Sequence, residues 1–276
     1  MSSRFDDLLK GFCRLDCDRY NFLKTFLEWK KIPFTPLEAG GRHLLINPMG
    51  KTMPGHYIKV LTAHYDRVEG TPGANDNSSS VFILLKHLEY LQQTDYSHNT
   101  MILFTDKEEL CGERSIYNQG SYHLGSYWKE NLGVNYFFTV LDMCGIGDTL
   151  IWGRNDLKLQ KENPDALVSK GVIKKIDSLY NALSDLLYRH SRQSDMGING
   201  LFSDDLGFIL SGLPAIQFSL LPWKEAERWK KNSEDFPASW KVNHSSDDGV
   251  ETLQDSAFRR MDKFLKNLSS YHLPLP

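Results

Sequence analysis

The sequence predicts an α/β fold: a three-layer sandwich with a central mixed, largely parallel sheet flanked by helices. Three observations carry that expectation. Short apolar runs rich in β-branched and aromatic residues recur along the chain, stretches with apolar residues at helical spacing separate many of them, and several runs end abruptly in charged residues. Strands that alternate with helices signal parallel pairing, because each parallel connection must cross back over the sheet.

Taken in order, Phe5 to Lys31 places Leu8, Leu9, Phe12, Leu15, Tyr20, Phe22, Leu23, Phe26 and Leu27 at helical spacing, broken near Cys17 and ended at Ile32-Pro33. One or two helices therefore open the chain. Strands are expected over His43 to Ile46, Tyr57 to Ala63, Met101 to Thr105, Tyr136 to Leu141, Thr149 to Trp152 and Ala215 to Leu221. Helices are expected over Val81 to Leu91, within Tyr122 to Leu132, over Val172 to His190, and finally over Val250 to Leu268. There is no internal repeat and no Pro/Gly/Ser linker, so residues 1–276 are expected to form one domain, with 1–35 as a helical segment packed on it.

Composition narrows the function classes. With 41% hydrophobic and 24% charged residues the chain can bury a sizeable core, which excludes intrinsic disorder. The net charge is -3 and basic residues gather only in pairs such as Lys174-Lys175 and Lys230-Lys231, so no nucleic-acid partner is expected. The first residues carry charges throughout, and the apolar runs stop far short of the roughly 20 residues that cross a bilayer. The expectation is a cytoplasmic protein with no membrane association. The four cysteines, Cys13, Cys17, Cys111 and Cys144, include no CxxC pair and are expected as reduced, packed thiols.

Open α/β sheets bind ligands beyond the carboxyl ends of their strands, so the residues that follow each apolar run matter most. KVLTA leads into His64-Tyr65-Asp66, MILFT into Asp106-Lys107-Glu108-Glu109, and YFFTVL into Asp142. The turn Gly73 to Ser78 adds Asp76 ahead of a helix, and Asn243 to Asp248 adds His244 ahead of the last one. Taken singly, each has an ordinary structural role: Asp76 near a helix N-terminus, Asp106 and Glu109 as a capping box, Asp142 in a turn, each histidine as a hydrogen-bonded core residue. All five on one rim is harder to explain that way. Imidazole and carboxylate without thiolate suit zinc or a similar divalent ion in an open, catalytic site. Five donors exceed the need of one tetrahedral ion that keeps a water, whereas two ions about 3.5–4 Å apart use all five if one carboxylate bridges. Asp66 is placed to orient His64, and Glu108 to serve as general base beside a ligand.

These residues resemble the co-catalytic zinc exopeptidases, the family of the bacterial leucyl aminopeptidases that also contains the glutaminyl-peptide cyclotransferases. The matching segments are Ala63 to Asp66, Pro72 to Asn77, Glu108 to Gly112, Leu141 to Met143, Ser203-Asp204 with Gly212 to Ala215, and His244 with Asp247, in the family's order over about residues 60 to 250. The resemblance implies an aminopeptidase-like fold in which Asp76 bridges two zinc ions, His64 and Asp142 complete one site, and Glu109 and His244 the other. It implies Glu108 as the base, Asp66 supporting His64, and hydrolysis of the N-terminal peptide bond of a peptide with a free N-terminus by a two-metal-activated water. The rival is a glutaminyl cyclase with one zinc on Asp76, Glu109 and His244. The Asn75-Asp76-Asn77 and Glu109 to Gly112 segments look peptidase-like, and His244 to Asp248 looks cyclase-like. A non-catalytic binding protein on the same fold is a third reading. Two positions depart from the family: Asp205 and Gly207 stand where His and Pro are usual.

Other chemistries lack support. There is no GxSxG elbow and no phosphate-binding loop, and Gly145-Ile-Gly147-Asp148 lacks the third glycine of a dinucleotide signature. Trp223, Trp229 and Trp240 either wall a substrate pocket or pack together near the surface.

Overall fold

The computed structural model describes residues 3–47, 52–110, 115–133, 135–162, 168–190 and 195–275. In chain order the elements are α1 (Ser3–Phe12), α2 (Arg19–Trp29), β1 (Thr35–Glu38), β2 (Arg42–Ile46), β3 (Ile58–His64), α3 (Ser79–Gln93), β4 (Thr100–Thr105), α4 (Gly120–Asn131), β5 (Tyr136–Leu141), β6 (Thr149–Trp152), α5 (Asn155–Glu162), α6 (Lys170–His190), β7 (Met196–Gly197), α7 (Asp204–Ser211), β8 (Ala215–Leu221), α8 (Trp223–Lys231) and α9 (Asp255–Ser270).

The strands form one mixed sheet of eight, in the order β1-β2-β4-β3-β5-β8-β6-β7. Its centre, β4-β3-β5-β8, is parallel throughout, while β2 meets β4 and β6 meets β8 antiparallel. The central strands are buried on both faces, which is why they read as mostly apolar runs in place of a strict apolar-polar alternation. Their side chains still alternate. Leu61, Ala63, Phe104, Phe137 and Leu141 join the core under α1, α2, α3 and α9, whereas Val60, Leu103, Phe138 and Val140 pack with Leu124, Trp128 and Phe208 of α4 and α7. Helices thus cover both faces, as the alternation of elements predicts.

The chain leaves β3 for β4 on one side and then returns to β5 on the other. That reversal makes the carboxyl end of β3 a topological switch point, where the flanking connections diverge and leave a crevice.

Some elements differ from expectation. β1 and β7 are short edge strands, the first carrying Pro36, and neither has the length to show as an apolar run. The helices α5, α7 and α8 were not anticipated; α8 is short and mostly charged, and of its narrow stripe Trp223, Ala226 and Trp229 only Ala226 is fully buried. The last helix starts at Asp255, because Leu253 and Gln254 are extended and Gln254 N donates to Gly145 O at 2.9 Å. Val250–Thr252 forms a separate 3-10 turn. Among the described residues no helix is long and apolar enough to cross a membrane.

Candidate metal centre

Every expected donor stands where a strand or turn delivers it to the switch point. His64 is the last residue of β3, Asp142 follows β5 directly, and Glu108 and Glu109 lie just beyond β4. Asp76 sits in a single wide turn, Ala74–Ser78, that leads into α3. Gly73 opens this turn at φ +56°, and a Cβ there would stand 2.7 Å from Asp76 O, so both conformation and space call for glycine. Asn77 brackets the exit of β5, donating from Nδ2 to Leu141 O (2.8 Å) and accepting Met143 N–H at Oδ1 (3.2 Å), which fixes Asp142 between. The buried Asp248 carboxylate accepts the amides of Asn75 (2.7 Å) and Asp76 (3.1 Å) and so ties the His244 loop to the turn. Sequence reading singled out Asp247 instead; that side chain is exposed, and the buried anchor is its neighbour.

The two carboxylate oxygens of Asp76 face opposite ways. Oδ1 lies 3.3 Å from His64 Nε2, which is also 3.5 Å from Asp142 Oδ1, while Oδ2 lies 3.2 Å from His244 Nε2, itself 3.1 Å from Glu109 Oε2. Two triads, His64-Asp76-Asp142 and Asp76-Glu109-His244, therefore share Asp76, and within each the donor atoms lie within 4.8 Å of one another. Asp66 Oδ1 is 3.5 Å from His64 Nδ1, and the same carboxylate accepts the amides of Glu108 (3.3 Å) and Glu109 (3.0 Å). Its role extends beyond the imidazole: it anchors the backbone that carries both glutamates. Neither capping role considered for these residues is realised. Asp76 turns its two oxygens to His64 and His244, and Glu109 turns toward His244.

The electrostatics are those of crowded charges in a desolvated crevice. Burial opposes charge on His64, yet Glu108, Asp142, Asp66 and Asp76 around it outweigh that and hold its pKa well above the ordinary value. Hydrogen bonds to Asp76 and then Glu109 push His244 up to about 10. Asp76 is buried, but the two histidines keep its pKa below the usual carboxylate range. Burial, reinforced by Asp142, Glu109 and Asp204 against the pull of His64, raises Glu108 well above it. Both ring nitrogens of His64, Glu109 Oε1 and Asp142 Oδ1 are buried without a hydrogen-bond partner in the protein. Unpartnered imidazole and carboxylate atoms from three of the five converging donors fit a divalent cation well, because each such atom is otherwise costly to bury.

The pattern of peptidase family M28 matches residues 47–269, which takes in every donor described above. The chain belongs to peptidase family M28. No curated protein matches this M28 chain. Solved structures similar to it include a leucine aminopeptidase precursor from Bacteroides thetaiotaomicron (18% identity, TM-score 0.63, covering 96% of this chain and 95% of that one). They also include glutaminyl cyclase from Porphyromonas gingivalis (18%, TM-score 0.62, 96% of each chain) and a zinc aminopeptidase from Bacillus subtilis (18%, TM-score 0.56, 82% of this chain and 49% of that one). At such identity the likeness establishes the fold.

The M28 centre opens into a cavity of about 690 Å³ whose lining combines the donors Asp76, Glu108, Glu109, Asp142 and His244 with apolar side chains that include Met143, Leu201, Phe202, Phe236 and Trp240. Trp240 packs against Trp229 and Phe236 at ring distances of 5.5 and 6.0 Å, and Phe236 lines the cavity with it, so this aromatic cluster both packs and walls the cavity, while Trp223 does not line it. Asp205, at the family's usual histidine position, does not line it either. It is buried, accepts from Asn155 Nδ2 (2.9 Å), and through Asn155 (3.0 Å to Gln217 Oε1) and Gln217 (3.3 Å to Asp142 Oδ2) connects to Asp142. Gly207 has a steric cause: a Cβ there would meet Ser121 Oγ at 2.1 Å, so the close packing of α7 on α4 requires glycine. Cys144 is buried with its thiol pushed up to about 12, as a packed cysteine, not a nucleophile, would be. Cys111 lies outside the described residues.

Sequence reasoning missed Gln119, whose Nε2 donates to Glu108 Oε1 at 3.3 Å, and Asp204, which accepts from Thr105 Oγ1 at 2.5 Å beside it. Asp204 was visible only as part of a Ser-Asp motif, and nothing local to Gln119 signals its task.

Proposed function

We propose that this M28 chain is a two-zinc aminopeptidase, which removes the N-terminal residue of a peptide with a free N-terminus. The observation that supports it best is the division of Asp76: each oxygen faces a different histidine, and each histidine has its own second carboxylate. A one-zinc cyclase would need only Asp76, Glu109 and His244, and would leave His64 and Asp142 without a task. The family is zinc-dependent. His64, Asp76 and Asp142 would hold one ion and Asp76, Glu109 and His244 the other, supplying carbonyl polarisation and a lowered pKa for water.

The chain's own residues do the rest. Glu108 is buried at the cavity wall, steadied by Gln119, and its raised proton affinity suits a base that takes a proton from the attacking water and delivers it to the leaving amine. Asp66 holds the backbone of Glu108 and Glu109, so base and ligand keep their relation through the cycle. The apolar wall offers a site for the N-terminal side chain while excluding water.

The reading is tested by metal analysis of the purified protein together with product analysis on an aminoacyl amide and a Gln-initiated peptide. About two zinc ions per chain and release of the free N-terminal amino acid are expected. One tightly bound ion and conversion of N-terminal Gln to a cyclised product would establish the cyclase, and full metal loading with no turnover of either substrate would leave a binding protein.

A further inference from the structure

The family match begins at residue 47, so α1 and α2 precede it, yet one side chain of α2 is built into the metal centre. The guanidinium of Arg19 is buried. Its Nη1 donates to the carbonyls of Tyr65 (2.9 Å) and Asp66 (3.2 Å), and its Nη2 to those of Pro72 (2.7 Å) and Gly73 (3.2 Å) and to Ser78 Oγ (2.8 Å). The first pair directly follows His64; the other three bracket Asp76. Arg67 returns the contact from the opposite side, donating to the carbonyls of Cys13 (3.2 Å), Arg14 (2.9 Å) and Leu15 (2.9 Å) in the turn between α1 and α2.

A buried guanidinium whose hydrogen-bond acceptors are main-chain carbonyls and one hydroxyl is an expensive way to attach a helix. Its Cζ stands 4.7 Å above the ring of Phe12, in apolar surroundings where a Leu or Met would pack without that cost. What only the planar fork provides is a fixed geometry for several acceptors at once. Those acceptors belong to two segments that are separate along the chain and must meet for His64 Nε2 and Asp76 Oδ1 to approach to 3.3 Å.

We propose that Arg19 is a positioning residue of the metal centre, a clamp from the N-terminal helices that holds the segment after His64 and the turn carrying Asp76 in register. The inference rests on the zinc reading above. Lysine at this position keeps the charge but can reach only part of the acceptor set, and methionine keeps only the packing.

The test uses the full chain as wild type, Arg19→Lys, Arg19→Met and, as a control destabilised elsewhere, Leu183→Ala in α6. Each is stripped with chelator and titrated with zinc against a chromophoric competitor, with melting temperature and near-ultraviolet circular dichroism recorded alongside. Arg19→Lys is expected to stay folded and to bind zinc at least about tenfold more weakly, within the range of outer-sphere ligand supports. Arg19→Met is expected to be weaker still, and Leu183→Ala to keep wild-type affinity despite its lower melting temperature. Turnover by Arg19→Lys should recover at saturating zinc, since Arg19 touches no reacting atom. Wild-type zinc affinity in Arg19→Lys would overturn the inference, as would an equal loss in Leu183→Ala, and the lysine variant decides the matter if the methionine variant does not fold. Absence of zinc binding by the wild type would instead bring down the metal reading itself.

Discussion

Strand β3 carries buried ionisable groups at both of its ends, and the two ends behave in opposite ways. At the carboxyl end, His64 is surrounded by carboxylates that favour its charged form. At the amino end, Lys59 is buried with Nζ donating to the carbonyls of Ser269 (3.1 Å) and Tyr271 (2.5 Å), and desolvation pushes its pKa down to about 7. Nearby His87, which meets Ser269 Oγ at 2.8 Å, is pushed down to about 3, and His98 to about 4. Polar atoms lack partners at both ends, among them His64 Nε2 and His98 Nε2. Burial and unpartnered nitrogens therefore do not by themselves mark a site. The difference is chemical: imidazole and carboxylate atoms of opposite charge converge at one end, whereas the other gathers bases whose proton affinity burial lowers.

The sharpest way to break this contrast is to remove the shared carboxylate. Asp76→Ala is expected to abolish both zinc binding and turnover, whereas His64→Ala and His244→Ala should each lose one ion by metal analysis; retention of both ions by Asp76→Ala would refute the shared ligand. Next in size, Glu108→Gln should lower kcat by about 10²–10⁴-fold with zinc content unchanged, as the loss of a general base does. A fully active, folded Glu108→Gln protein would remove Glu108 from the mechanism.

At the amino end the expected effects are on stability. The unfolded chain holds a proton on Lys59 up to pH near 10.5, the folded one only to about 7, so stability rises with pH through that window. Relative to Lys59→Met, the wild type should gain at most about 1.4 kcal/mol per pH unit there, measured by chemical denaturation. A flat difference would mean that Lys59 is charged in the fold. The smallest effect at neutral pH is that of His87. Its folded pKa near 3 lies below the unfolded 6.5, so the stability it permits is complete above 6.5 and lost as pH falls toward 3. His87→Gln should match the wild-type pH slope at pH 7 and show a shallower acid decline, and superimposable acid profiles would count against a neutral buried imidazole.

Much of the fold was legible because strands buried on both faces are dominated by apolar residues: Tyr136–Leu141, Thr149–Trp152 and Ala215–Leu221 are buried nearly throughout and carry only scattered uncharged polar residues such as Thr139, Gln217 and Ser219. The elements that escaped notice are short: β1, β7 and α8 also bury little, whereas the eight-residue α7 is buried almost throughout and so shows no amphipathic period. A short or solvated element leaves no period in the sequence, since its residues are not sorted by a core.

For the site, the sequence by itself determined which residue types follow which strand, and a strand's direction then dictates the rim at which they emerge. That is a local property, and His64, Asp142 and Glu108-Glu109 could be read from it. Only the tertiary structure decided that the oxygens of Asp76 divide between two histidines, that Asp248 and not Asp247 anchors the turn, and that Arg19 reaches both the segment after His64 and the turn carrying Asp76 from α2. These depend on contacts between segments far apart in the chain, where spacing carries no signal. A hydrogen bond forms from distance and angle in three dimensions, and the packing of helices against the sheet supplies both.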